Sequence, residues 1–245
     1  MARYLNVNTI INRAAVEIGL LPSADAVADL GDTFVQLEGL LNSSGQELCE
    51  LNDWPVLTKT HSIVTTPTDT GSYDLPDDFN YMIDQTGWDK SRRLPLGGPL
   101  SAQEWTYLKG RNLTNQLIYA SFRQLDGKLD LFPNPPPDGM EISFEYVSRS
   151  WLAEEGQTEA TLDTITAGTN VCVLNPLLSI KFLKLKFLQA KGFDYAAAAM
   201  EFDTLFSASI GKATGAQVLS ASRSRSGMRY ITPYGNTTDT GFGDI

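Results

Sequence analysis

Paired carboxylates, a lone histidine, two cysteines and a glycine pair are the residues here whose types could do chemistry. Adjacent acids occur at Asp77-Asp78 and at Glu154-Glu155. Glycoside or peptidoglycan cleavage needs only two carboxylates. It also needs environments that drive their pKa values apart, and no apolar pocket is evident beside either pair. Neighbouring acids on a strand point apart and usually sit in water. His61 stands between Thr60 and Ser62 in a strand-like run. As the single histidine it excludes a multi-histidine metal site, and any His-paired nucleophile would have to use it. Cys49 and Cys172 are far apart, lie near apolar residues and have no CxxC partner, which reads as two buried free thiols. Gly97-Gly98 lacks the strand–glycine–helix setting of a phosphate loop. No metal or cofactor is expected, and no enzyme is expected. Wall cleavage by a carboxylate pair is the one enzyme class left open.

The chain has 245 residues, 42% of them hydrophobic, and a net charge of −10. The apolar share supports a sizeable core. The acidic balance argues against a broad nucleic-acid grip. The longest apolar run, Leu177 to Leu188, is broken by Lys181, Lys184 and Lys186 and is no membrane span. The start, Met1-Ala-Arg-Tyr-Leu-Asn, has no apolar h-region, so a cytoplasm-made protein is expected.

The elements that would position these residues follow from periodicity. Ile10, Ile11, Ala14, Ala15 and Ile18 form a helical stripe over Asn8 to Leu20, closed by Gly19 and Pro22. Asp32 is expected to cap a second helix running to Leu51, with Gly39 and Gly45 inside it. Those glycines either permit close packing or are merely tolerated. Strands are expected over Leu57 to Thr66 and Tyr81 to Thr86. Ser101 and Glu104 form a capping box for a short helix with Trp105 and Leu108 inward. Gln116 to Arg123, Lys128 to Phe132 and Met140 to Ser148 read as strands, the last two joined as a hairpin by Pro133 to Gly139. Asn175-Pro176 opens a helix closed by Gly192, and Asp194 caps another that Gly211 stops. The predicted fold is α+β. Helical hairpins at 1–55 and 175–212 form a four-helix bundle, an antiparallel β-sheet or sandwich domain at 56–174 is inserted between them, and an extended arm follows at 213–245.

Three groups of residues suit contacts rather than catalysis. Lys181, Lys184 and Lys191 fall within roughly a quarter-turn of one helix face, where they are solvated, or face an acidic partner or DNA phosphates. Pro135, Pro136 and Pro137 stiffen the turn and are expected at an exposed tip meeting the tail or a neighbouring subunit. The arm has a serine- and glycine-rich composition that cannot offset its own ordering entropy. Its Arg223, Arg225 and Arg229 suit carboxylates, and Tyr230, Ile231 and Tyr234 suit apolar anchoring.

Taken in order, Ile11-Asn-Arg-Ala-Ala-Val-Glu-Ile-Gly-Leu20, Leu129-Asp-Leu-Phe-Pro-Asn-Pro-Pro-Pro137 with Ile142-Ser-Phe-Glu-Tyr146, and the last helices around Gly192-Phe-Asp194 resemble phage head-to-tail adaptors, including the tail tubular protein A type of short-tailed phages. The resemblance spans residues 1 to about 214. It implies a structural ring, dodecameric in that family, beneath a portal protein. Such a ring joins the portal to a tail nozzle or tail tube protein and encloses the channel through which double-stranded DNA leaves. It also implies a virion protein of the neck, assembled in the host cytoplasm and bound to no membrane. An acidic lumen would repel DNA within a Debye length of about 8–10 Å. Two other readings stay open, a virion-associated wall-degrading enzyme and a carbohydrate-binding or tail-fibre-attachment module.

Overall fold

A computed structural model describes residues 4–66, 68–110 and 120–213. Helices and antiparallel strands both contribute, so the chain is α+β. Helix α1 (Val7–Ile18) starts at Asn6, whose side-chain oxygen accepts from the Thr9 N–H, and ends at Gly19 in the left-handed region. Helix α2 (Asp32–Leu51) has Gly31 at its N-cap with no side-chain bond, so Asp32 is the first helical residue and not the cap. The capping box of α3 (Ala102–Gly110) forms as expected, Ser101 N–H and Oγ both meeting the Glu104 carboxylate at 2.8 Å. Asn175 and Gly192 bound α4 (Pro176–Lys191). Helix α5 (Ala196–Ala213) does not stop at Gly211 but continues through it. An interior glycine costs about 1 kcal/mol against alanine, less than the packing that holds this helix to α4.

Helix α4 packs against α1, α2 and α5. Phe182 stacks on Phe202 at 4.4 Å, and Phe206 meets Trp54 edge-on. A three-stranded sheet closes the same core: β1 (Leu5–Asn6) and β10 (Leu152–Ala153) flank β11 (Val171–Cys172). Trp151, Leu152, Ala153 and Cys172, all 0% exposed, belong to this helical core. The stretch from Trp151 to Asp163 is therefore more than the polar connector its composition suggests.

The second core lies between two sheets. In one, β9 (Glu141–Ser148) pairs with β2 (Thr58–Val64) on one side. On its other side it pairs with β4 (Phe79–Met82) and β5 (Trp88–Asp89), and β5 with β6 (Leu94–Pro95). In the other, β8 (Lys128–Phe132) lies between β3 (Ser72–Asp74) and β7 (Ser121–Leu125). Leu129, Leu131 and Phe122 from one sheet share a cluster with Ile63, Ile142 and Phe144 from the other.

The expected hairpin of β8 with β9 is corrected by this topology. The two strands sit in different sheets, and the proline segment is a crossover. Strand β8 already has two neighbours. Its hairpin partner is β7, joined through Asp126-Gly127 with φ of 52° and 69° at both turn residues, which is the two-residue turn that matches strand twist.

Candidate functional site

In α4 the lysines repeat along a helix whose apolar residues are held by three neighbours. Lys181 Nζ lies 2.8 Å from Glu17 of α1 and 3.2 Å from Glu201 of α5. Lys184 reaches the same two carboxylates at 3.4 and 3.7 Å. Lys186 contacts Glu47 of α2 at 2.6 Å. The Glu17 hydrogen bond raises the Lys181 pKa, and that of Lys181 lowers the pKa of Glu201. Two of the three predicted contact lysines thus cross-brace the helices within the chain. Lys191 lies over the Phe187 ring at 5.5 Å and is exposed.

A polar knot joins the two cores. Asp78 accepts from Lys59 at 2.7 Å, Ser148 at 2.7 Å and Tyr146 at 2.9 Å. Lys59 also donates to the Ala160 carbonyl at 2.5 Å. Burial works to raise the Asp78 pKa, yet the three hydrogen bonds and the Lys59 charge prevail and hold it below the ordinary carboxylate value. Asp78 is therefore not a free acid in water, although its pairing is structural. Glu154 and Glu155 are exposed. His61 lies 5.5 Å from the Phe144 ring, and burial lowers its pKa against the opposing pull of Asp78. Cys49 and Cys172 are free and buried, with burial raising their thiols to about 12 and about 11. Among the described residues no acidic, histidine or cysteine cluster could hold a metal ion, and no helix is long and apolar enough to cross a membrane.

The three prolines are unlike one another: Pro135 is exposed, Pro137 half-buried and Pro136 buried. Thr65 ties the crossover down, its hydroxyl donating to the Pro137 carbonyl and its N–H to the Met140 carbonyl. The expected exposed tip therefore holds for Pro135 and fails for Pro136. Packing, rather than proline content, decides which of them a partner can reach.

Asp78, Lys181, Lys184 and Lys186 are thus engaged within the chain, where they brace its elements against one another. A family model, SU10 adaptor protein, matches residues 5–230. The chain belongs to the SU10 adaptor protein family. No curated protein matches it significantly. The family is one of phage head-to-tail adaptors and is structural, in line with the resemblance carried by the first helix, the proline-rich segment and the last helices.

Arg223, Arg225, Arg229, Tyr230, Ile231 and Tyr234 of the adaptor lie outside the described residues. Sequence reasoning missed the Asp78 knot, because its four side chains come from positions 59, 78, 146 and 148. It also missed the seat of Trp151. A Cβ at Gly45 would fall inside the Trp151 indole, whereas one at Gly39 would meet nothing within 4 Å. Of the two glycines in α2, Gly45 is the one packing requires.

Proposed function

We propose that this adaptor forms a ring, dodecameric as in the adaptors it resembles, beneath the portal. The ring joins the portal to the tail nozzle or tube protein and surrounds the DNA exit channel of the virion. The family match over residues 5–230 carries this reading. The cross-bracing of α1 and α5 through α4 supports it, since a ring wall must transmit load without deforming. We read α1, α2, α4 and α5 as a four-helix bundle forming that wall, with the β domain inserted between the hairpins. The segment beyond Ala213 docks on the portal through Arg223, Arg225 and Arg229 and the apolar anchors Tyr230, Ile231 and Tyr234. Pro135 is the accessible proline for a tail or neighbour contact. DNA passes without sequence-specific binding, as the net charge of −10 favours. Assembly takes place in the host cytoplasm.

Truncation after Ala216 tests the reading. The shortened chain is expected to fold with an almost unchanged melting temperature and to lose portal binding. A truncated chain that joins portal as well as the full chain does would overturn the docking role. Electron micrographs of the full chain on its portal are expected to show a closed ring.

A further inference from the structure

Strand β2 pairs with β9 along its whole length, from Thr58 opposite Val147 to Val64 opposite Glu141. Among the described residues no strand pairs with its other side. Thr65 fixes the phase of the ladder, since its N–H donates to Met140 and its carbonyl accepts from Gly139. Alternation then aims the backbone groups of Lys59, His61 and Ile63 at β9, and those of Thr60, Ser62 and Val64 outward, while the Thr58 N–H is taken by the Pro55 carbonyl. The far side of β9 agrees. Lys90 and Ile83 donate to the carbonyls of Glu141 and Glu145, so those two residues face away from β2.

Open edges are normally blunted by shortness, proline, bulges or lysine. Here β6 is two residues long and contains Pro95, and β3 has three residues. Strand β7 is covered by Gly97 to Leu100, which exchange backbone bonds with Ala120 and Phe122. Strand β2 has seven residues and no proline, glycine or bulge. Its lysine is drawn inward to Asp78. Thr60, Ser62 and Val64 are exposed, Val64 at 61%.

We propose that this edge receives, by strand addition, the segment Met228–Thr232 of a second copy of the chain. The proposal rests on the ring reading above. Contacts that repeat around a ring join two different surfaces, so β2 cannot serve by pairing with another β2, which would close a two-fold dimer. The chain continues from 214 to 245 beyond the last described helix. The fifteen residues from Ala213 to Met228 can span roughly 50 Å when extended, enough to reach a neighbour. Their sequence fits the edge. In an extended chain Met228, Tyr230 and Thr232 share one face, suited to lie beside His61 and Ile63. Arg229 and Ile231 share the other, beside Thr60 and Ser62, with the Arg229 side chain long enough to reach toward exposed Glu145. On this proposal Arg229, Tyr230 and Ile231 pass from the portal contact named above to the neighbouring copy, and Arg223, Arg225 and Tyr234, which flank the segment, remain for the portal.

Hydrogen exchange on the full chain, free and assembled on portal, reads the proposal directly. The amides of Thr60, Ser62 and Val64 are expected to slow at least tenfold on assembly, while those of Lys59, His61 and Ile63 are slow in both states. Ser62→Pro removes an outward donor and none of the β9 ladder. It is expected to fold, to bind portal and to lose the assembly-linked protection. Thr60→Lys, which blunts the edge without altering the backbone, should do the same if the proline disturbs folding. In mixed assemblies, Ser62→Cys on one copy should form a disulfide with Ile231→Cys on another, since both lie on the same face of the extended sheet. Unchanged exchange on assembly, or disulfides only between Ser62→Cys copies or within one chain, would overturn strand addition. Complete rings from the Ser62→Pro and Thr60→Lys chains would overturn it too, while leaving portal docking intact; loss of rings with portal binding absent altogether would instead indict the portal reading.

Discussion

The helical core and the two-sheet core treat their polar groups differently. Around α4, lysines and glutamates from three neighbouring elements close on one another. In the sheets, the Asp78 knot ties Lys59 of β2 to Tyr146 and Ser148 of β9, while the other side of β2 is left with outward backbone groups among the described residues. The difference separates two tasks. Side chains hold the two cores together, and among the described residues β2 keeps an unpaired backbone edge that, on the proposal above, serves contacts between subunits. Substitutions in the first class should change stability, and those in the second should change assembly.

The largest effect is expected at Trp151, which has no exposed surface. Trp151→Ala should cost about 3–5 kcal/mol in denaturant unfolding. Gly45→Ala should also destabilise, because the new methyl enters the indole site. The overpacking of about 1–3 kcal/mol outweighs a propensity gain near 1 kcal/mol. With the indole removed the methyl has room, so the double variant should be more stable than the sum of the single losses predicts. Strict additivity would mean that Gly45 is not the seat of Trp151.

Asp78→Asn comes next. Lys59 keeps its charge at 17% side-chain exposure with its carboxylate gone, which should cost about 1.5–3 kcal/mol at neutral pH. The pH dependence has a definite sign. The folded-state pKa lies below the unfolded one, so the carboxylate's contribution is complete above the unfolded value of about 3.9 and fades as pH falls through the folded value. The stability gap between parent and variant should therefore narrow below about pH 4. A gap that stays constant from pH 7 to pH 2.5 would show that Asp78 does not act through its charge.

What the sequence reveals of this fold depends on how local each signal is. Helices α1 and α4 are announced by residues within one turn of their ends, Gly19 for the first and Asn175, Pro176 and Gly192 for the second. Strand existence is equally legible in the alternation of Leu129 and Leu131 or of Ile142 and Phe144. Strand pairing is not, because β9 takes its neighbours from residues more than 50 positions away. Asp126-Gly127 carried the local signal that β8 turns back to β7, and the prolines beyond it drew the hairpin reading to the wrong side. Two-residue strands such as β1 and β11 have no period to read. The lysine stripe on α4 was visible, but the partners of Lys181 and Lys184 were not, since Glu17 lies 164 residues away from Lys181.

Replacing Lys181 and Lys184 by methionine should have a modest effect. These pairs are partly exposed, and such pairs contribute little each. The double variant leaves Glu17 and Glu201 facing each other without a cation. Its melting temperature should fall by a few degrees at low salt, on the scale of roughly 1 kcal/mol for a domain of this size. Added salt should restore part of that loss by screening. A melting temperature indifferent to both changes would break the contrast drawn above, because the helical charges would then hold nothing together.

The smallest effect on stability is expected at Lys191, and it sharpens the same contrast. This lysine shares the α4 face predicted for contacts, but it rests over Phe187 at the end of the helix while Lys181 and Lys184 bridge carboxylates. A cation in the last turn favours the helix dipole by about 0.3–1 kcal/mol. Lys191→Met keeps the aliphatic cover over the ring, so its unfolding free energy should fall by no more than that. Its charge is the one of the three not engaged by Glu17 or Glu201, and so the one available to an acidic partner or to phosphates. Binding of the Lys191→Met chain to portal should weaken and lose part of its salt dependence. If binding and its salt dependence match the parent's, Lys191 is a solvated lysine and the α4 face makes no contact through charge.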